Sequence, residues 1–119
     1  MQPGFEAHDG FVEIRLPLSY DRLVTIPPDI QEHLNAAKAL LYNFEGVEAV
    51  GVDPFIVASR VEGFVASGIR VAILASEPAW FGIGRQVVLI ARAEPEQAAV
   101  FTDRTLAVMW LLNRSPAAD

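Results

Sequence analysis

Cysteine is absent from this chain of 119 residues, and basic residues are few. Without cysteine the chain forms no disulfide bond and offers no thiol for catalysis. Lysine and arginine together number 9 against 15 acidic residues, which gives a formal net charge of -6 at pH 7. The basic residues are scattered along the chain. We therefore expect no nucleic acid partner and no electrostatic binding to anionic lipid, since both need a basic patch.

Long apolar runs are also missing. No stretch approaches the ~18 apolar residues that a transmembrane helix requires, and the first residues, MQPGFEAHDG, lack the basic and apolar regions of a signal peptide. These absences predict a cytoplasmic chain with no transmembrane segment. Hydrophobic residues nevertheless make up 52% of the sequence. That fraction is enough for a single domain, spanning residues 1–119, to bury a core of its own.

The sequence motifs of phosphate binding are incomplete. Residues 75–88 read ASEPAWFGIGRQVV, in which Gly82 and Gly84 begin a G-x-G pattern whose third glycine is replaced by Val87. A dinucleotide fingerprint has its glycines in the turn between strand and helix. These glycines come well after Ser76 and fall inside a predicted helix, and no G-K-[ST] follows them. We expect them to allow close packing of that helix and not to bind phosphate.

No constellation of residues predicts catalysis or metal binding. The two histidines, His8 and His33, have no carboxylate or second histidine at metal-ligand spacing, and the G-x-S-x-G motif is absent. Glu45, Glu48 and Asp53 gather around one loop, but nothing selects a pair of them for acid–base chemistry. The sequence predicts a chain that is not an enzyme and that has no cofactor and no metal.

Local patterns in the first half predict a hairpin followed by helices and strands. Asp9-Gly10 is a preferred two-residue turn, and apolar residues alternate after it in FVEIRL. A helix is predicted over residues 28–37, and another is predicted from Pro54 to just before Gly68. The apolar stripe of this second helix consists of Val57, Val61, Phe64 and Val65. Helix caps are expected at Asp53, at Ser76 and at either Thr102 or Asp103.

The second half predicts βα units. KALLYNF, RVAILAS and AAVFT have the apolar character of buried strands. A helix with Pro78 in its first turn runs to about Arg92, and RTLAVMWLLN forms a last helix in which Leu106, Met109 and Trp110 share a face. Alternating strands and helices predict parallel strands with right-handed crossovers. The expected fold is α/β, with a mixed four- to five-stranded sheet and an N-terminal antiparallel hairpin strand.

Two stretches of the second half carry a resemblance to a known family. Their shared residues are Phe81, Gly82 and Arg85, then Val100, Phe101, Asp103, Ala107, Trp110 and Leu111. With these residues and the βαβαβαβ order, the chain resembles STAS domains, which are named for sulfate transporters and anti-sigma-factor antagonists. More narrowly it is similar to the SpoIIAA-like group, which is loosely related to the CRAL-TRIO lipid-binding fold.

The resemblance implies a βα superhelix and a non-catalytic binding or signalling module in the bacterial cytosol. A protein partner or a homodimer is expected as well, because the helix that contains Trp80 and Phe81 has more apolar surface than one face can bury. The phosphorylation switch of anti-sigma-factor antagonists is not carried over. In that family a serine follows an aspartate at a strand-to-helix junction, whereas here Pro54 follows Asp53 and offers no hydroxyl.

Several residues are predicted to form one binding surface, because ligands of open α/β sheets sit outside the carboxyl ends of the strands. The helix after Ser76 is apolar on most sides, so part of its apolar surface should stay exposed for a contact. The candidate ligand- or partner-binding residues are Asn43, Phe44, Ser76, Pro78, Trp80, Phe81 and Arg85. A protein partner and a lipophilic small molecule or membrane lipid are the alternative occupants.

Overall fold

The computed structural model describes residues 4–15, 26–44 and 54–112, and the first of these ranges forms the predicted hairpin. Strand β1 (Phe5–His8) pairs antiparallel with strand β2 (Phe11–Arg15). Asp9 and Gly10 make the turn, where Gly10 has a φ of 90°. Glycine reaches this angle without the steric cost that a Cβ would impose. The hairpin predicted from Asp9-Gly10 is confirmed.

The remaining strands alternate with helices. The chain continues through α1 (Pro28–Ala37), β3 (Ala39–Asn43), α2 (Pro54–Ala66), β4 (Arg70–Leu74), α3 (Pro78–Ala91), β5 (Ala98–Phe101) and α4 (Arg104–Leu112). The strands lie in the sheet in chain order, and β2 to β5 are parallel. The α/β class and a mixed five-stranded sheet are thus confirmed.

Most helix ends lie where the sequence predicts them. α2 is followed by Gly68 with a φ of 81°, and Asp103 caps α4 by accepting a backbone hydrogen bond of 3.1 Å on its Oδ1. One predicted cap is wrong. The N-cap of α3 is Glu77, which makes no side-chain cap hydrogen bond, so Ser76 does not cap this helix. The cap predicted at Asp53 lies outside the described residues.

The sheet is covered unequally on its two faces. Helices α1, α2 and α3 pack on one face, whereas α4 alone packs on the other. The central strands β3 and β4 are therefore buried from both sides, which explains their continuous apolar sequences. In the described residues no helix has the length and the apolar character needed to cross a membrane.

The face of α4 that packs against the sheet differs from the face that its large side chains suggest. Its buried residues are Ala107 and Leu111. Leu106 and Met109, which share a face with Trp110 in the sequence pattern, are 56% and 59% exposed. The small side chain of Ala107 lets the helix lie close to the sheet, and Leu106 and Met109 remain outside while Trp110 packs partly against the core.

Candidate functional site

The residues predicted to form one binding surface separate in the structure. Phe44 and Trp80 are buried and pack against each other, with ring centroids 4.6 Å apart. Ser76 is exposed between β4 and α3, and Pro78 is exposed at the first position of α3. Asn43 is buried within a polar network on the α4 face of the sheet. The two aromatic rings therefore belong to the core, and the carboxyl ends of the strands do not gather these side chains into one site.

Two of the predicted residues, Phe81 and Arg85, lie together in a surface groove. We call it the α3–β5 groove. It is a shallow depression of about 280 Å³ between α3 and the edge strand β5. It is lined by Phe81, Arg85, Val88, Leu89, Ala99 and Val100. Leu89 is 76% exposed, so the groove presents apolar side chains directly to water, which is typical of a contact surface.

The charge in the groove comes from Arg85. Its Cζ lies 6.0 Å from the centroid of the Phe81 ring, at the outer limit for a cation–π contact. No carboxylate in the described part of the chain forms an ion pair with Arg85. The groove thus combines an apolar wall with an exposed cation that has no ion-pair partner among the described residues.

Gly84 explains how the groove is built. A Cβ at this position would lie 3.1 Å from Val100 Cγ1 and 3.3 Å from Ile73 Cγ2, whereas nothing lies within 4 Å of a Cβ built on Gly82. One of the two glycines therefore permits close packing of α3 on the sheet, as the sequence suggests, and the other does not. Because Gly84 brings α3 close to β5, the side chains on either side of it form the groove wall.

A second cluster, which the sequence analysis missed, surrounds the buried carboxylate of Glu13. This side chain has no exposed surface. Arg104 at the start of α4 donates to both of its oxygens, at 2.8 and 3.1 Å. Asn43 donates to Oε2 at 2.7 Å, and His8 Nε2 lies 2.9 Å from Oε1. We call this set of residues the Glu13 network.

The Glu13 network keeps its central carboxylate ionised. Burial alone raises the pKa of Glu13, but hydrogen bonds from Arg104, Asn43 and His8, together with the charge of Arg104, outweigh it and lower the pKa to about 2. At neutral pH the carboxylate is charged and holds no proton to donate. Its four hydrogen-bond contacts also occupy both oxygens, as is typical of a structural ion pair.

Metal binding at this cluster is opposed by its own arginines. Ligand atoms of Glu6, His8 and Glu13 lie within 4.8 Å of one another, a spacing that could suit a cation. However, Arg104 occupies both oxygens of Glu13, and Arg15 lies 3.5 Å from Oε2. A metal ion would have to displace one guanidinium group and lie beside another, so the geometry favours an internal ion pair over a metal centre.

The cluster was missed because residues from four elements, β1, β2, β3 and α4, create it. Glu13 alternates with Val12 and Ile14 and therefore looks like an outward-facing strand residue, but α4 covers that face of the sheet. The predicted hairpin turn could have indicated part of the cluster, because strand pairing on either side of it places Glu6 opposite Glu13. Nothing local indicated Arg104, which is 91 residues away.

The chain was compared with protein-family models, with curated proteins and with solved structures, and none of these comparisons found a match.

Proposed function

We propose that this chain is a non-catalytic, STAS-like binding module that docks a protein partner on the α3–β5 groove. The observation that carries the proposal is the groove itself. It holds an exposed leucine, Leu89, and a cation without an ion-pair partner among the described residues, Arg85. Exposed apolar area next to an arginine is typical of the energetic centre of protein interfaces.

The family resemblance supports the same surface. Phe81 and Arg85 belong to the stretch that is similar to SpoIIAA-like chains, and both line the groove. The described strand order is compatible with a βα superhelix. Pro54 begins α2 without a hydroxyl group, so the proposal includes no phosphorylation switch at that point.

A lipophilic small molecule is the weaker alternative occupant. Pockets for such ligands enclose most of the ligand surface and usually have volumes of roughly 300 to 1,000 Å³. The α3–β5 groove is open and measures about 280 Å³. A flat protein surface fits an open groove better than a lipid chain does.

The proposal is tested by charging the groove. Leu89→Glu changes a side chain that is 76% exposed, and Met109→Glu is the matched control on α4, at 59% exposed. Each immobilised protein is incubated with a lysate of its source cells, and captured proteins are quantified by mass spectrometry. We expect a partner that the wild type and Met109→Glu capture equally and that Leu89→Glu loses at least tenfold.

Two outcomes contradict the proposal. Equal capture by all three proteins means that the groove is not the docking surface. Lipid that co-purifies with the wild type and not with Leu89→Glu, detected by native mass spectrometry, supports the lipophilic alternative instead.

A further inference from the structure

We propose that the partner contributes an extended segment that pairs with β5 as a sixth strand and sets one carboxylate against Arg85. This inference rests on the proposed function and specifies the chemistry of the partner. The segment is mostly apolar, because it lies along the groove wall, and it carries a single acidic side chain.

The first support is the free edge of the sheet at β5. The backbone carbonyls of Gln97 and Phe101 accept hydrogen bonds from Val71 and Ala75, in and just after β4. Because backbone groups alternate in direction along a strand, Val100 directs its N–H and C=O away from β4. No described strand pairs with this side of β5.

The second support is the composition of that edge. Natural proteins protect exposed edges with very short strands, charged side chains, proline or bulges, because unpaired backbone groups recruit other strands. Strand β5 is short, with 4 residues, but its sequence AAVF contains no charged residue and no proline. An edge with this composition is suited to strand addition, in which backbone hydrogen bonds provide affinity and side-chain pockets provide specificity.

The third support is the position of the groove beside the edge. Side chains of an added strand alternate between the two faces of the sheet. Those on the α3 side would lie against Phe81, Val88 and Leu89, whose side chains line the groove. One of these side chains of the added strand would lie next to Arg85. A carboxylate at that position would accept a charge-assisted hydrogen bond from the guanidinium group of Arg85.

The charges of the chain restrict the occupant. With a net charge of -6, the molecule repels strongly acidic segments, so attraction to a carboxylate is limited to the vicinity of Arg85. A second copy fits less well. A twofold axis at this edge brings two Arg85 side chains together on the same face, and two chains of equal net charge repel each other.

A display library of random nine-residue peptides provides the probe. Peptides are selected on the wild-type protein, and those that also bind Leu89→Glu are removed. We expect enrichment of apolar residues at alternate positions around one aspartate or glutamate. Arg85→Glu should bind the enriched peptides at least tenfold more weakly, while Arg85→Lys retains most of the binding.

Alternate N-methylation separates strand pairing from other modes of binding. One version of the best peptide is methylated on the amides that would face β5, and a second version on the amides that would face away. We expect the first version to bind about tenfold more weakly or worse, since each lost hydrogen bond removes affinity, and the second to bind like the parent. Saturating parent peptide should also slow amide exchange at Val100.

The outcomes distinguish the two proposals. If both methylated versions bind equally, or if the enriched peptides lack an acidic residue, the sixth-strand inference is wrong. The docking proposal still holds in that case if Leu89→Glu abolishes the binding of the peptides. If no peptide depends on Leu89, both are wrong. A doubled mass in light scattering that Leu89→Glu abolishes identifies a second copy as the occupant and overturns the inference.

Discussion

Replacing Glu13 by glutamine tests the Glu13 network directly. The substitution keeps the size of the side chain and removes its charge. Arg104 donates to both oxygens, so whichever oxygen becomes an NH₂ group faces a guanidinium nitrogen of Arg104. A buried donor then opposes another donor, and the negative charge that faced Arg104 at this position is lost.

The size of the effect follows from the pKa of Glu13. A decrease from 4.5 to about 2 corresponds to about 3 kcal/mol of folding free energy, at ~1.4 kcal/mol for each unit. Breaking a buried ion pair costs about 3 to 5 kcal/mol in other proteins. Since the Arg104 side chain is 43% exposed and can turn towards water, we expect the Glu13→Gln loss to lie near the lower value.

The pH dependence gives the stricter test. The carboxyl group is more acidic in the folded chain than in the unfolded chain, so its contribution is complete above about pH 5 and falls as the pH decreases towards 2. By pH 3 about 2 kcal/mol of the contribution should be lost. Urea unfolding of the wild type and of Glu13→Gln is measured at pH 7, 5, 4 and 3. The free energies of unfolding of the two proteins should approach each other as the pH is lowered.

The control is Glu6→Gln, because Glu6 is an exposed neighbour in the same cluster. Its effect should be below about 1 kcal/mol, as for exposed ion pairs. A stability difference between wild type and Glu13→Gln that stays constant from pH 7 to pH 3 would refute the assignment of a charged carboxylate to the buried site.

Substitutions at four further positions test the packing of the fold by thermal or urea unfolding. Gly82→Ala should stabilise the protein by up to about 1 kcal/mol, because the position is exposed, helical and open. Gly84→Ala should show none of this gain, since its Cβ meets Val100 at 3.1 Å; equal gains in both variants would contradict the close approach of α3. Gly10→Ala should cost about 1 kcal/mol or more, because φ there is 90°, and an unchanged midpoint would argue against that turn. Asp103→Ala should cost about 1 kcal/mol through loss of the α4 cap, whereas Asp103→Asn should cost little.

Much of the fold could be predicted because local and tertiary signals agree. Asp9-Gly10 specifies its turn, and buried parallel strands need apolar residues in continuous runs, as in RVAIL. The packing of α4 could not be predicted. Its largest side chains, including Met109, suggest one face, whereas contact with the sheet depends on the fit of Ala107, a property of both surfaces and not of the helix alone.

The candidate site was predictable only in part. Phe81 and Arg85 were selected because their helix has more apolar surface than one face can bury, and they do share a groove. Trp80 satisfied the same criterion, and Phe44 was selected for its place at the carboxyl end of a strand, but both are core residues. Adjacent residues on a helix point in directions about 100° apart, so the sequence could show that Trp80 and Phe81 face differently without showing which of them faces the sheet.

The link between Glu13 and Arg104 also has a consequence for the order of folding. Its partners are separated by 91 residues, so the charge of Glu13 has no bidentate partner until almost the whole chain is available. Until then, the sheet face that α4 covers exposes both apolar side chains and a carboxylate that lacks its Arg104 partner. We expect docking of α4 to be a late and cooperative step, as is typical of contacts between distant parts of a sequence. Amide exchange in β2 should then accelerate together with exchange in α4 when Arg104 is replaced by methionine, and acceleration confined to α4 would contradict this order.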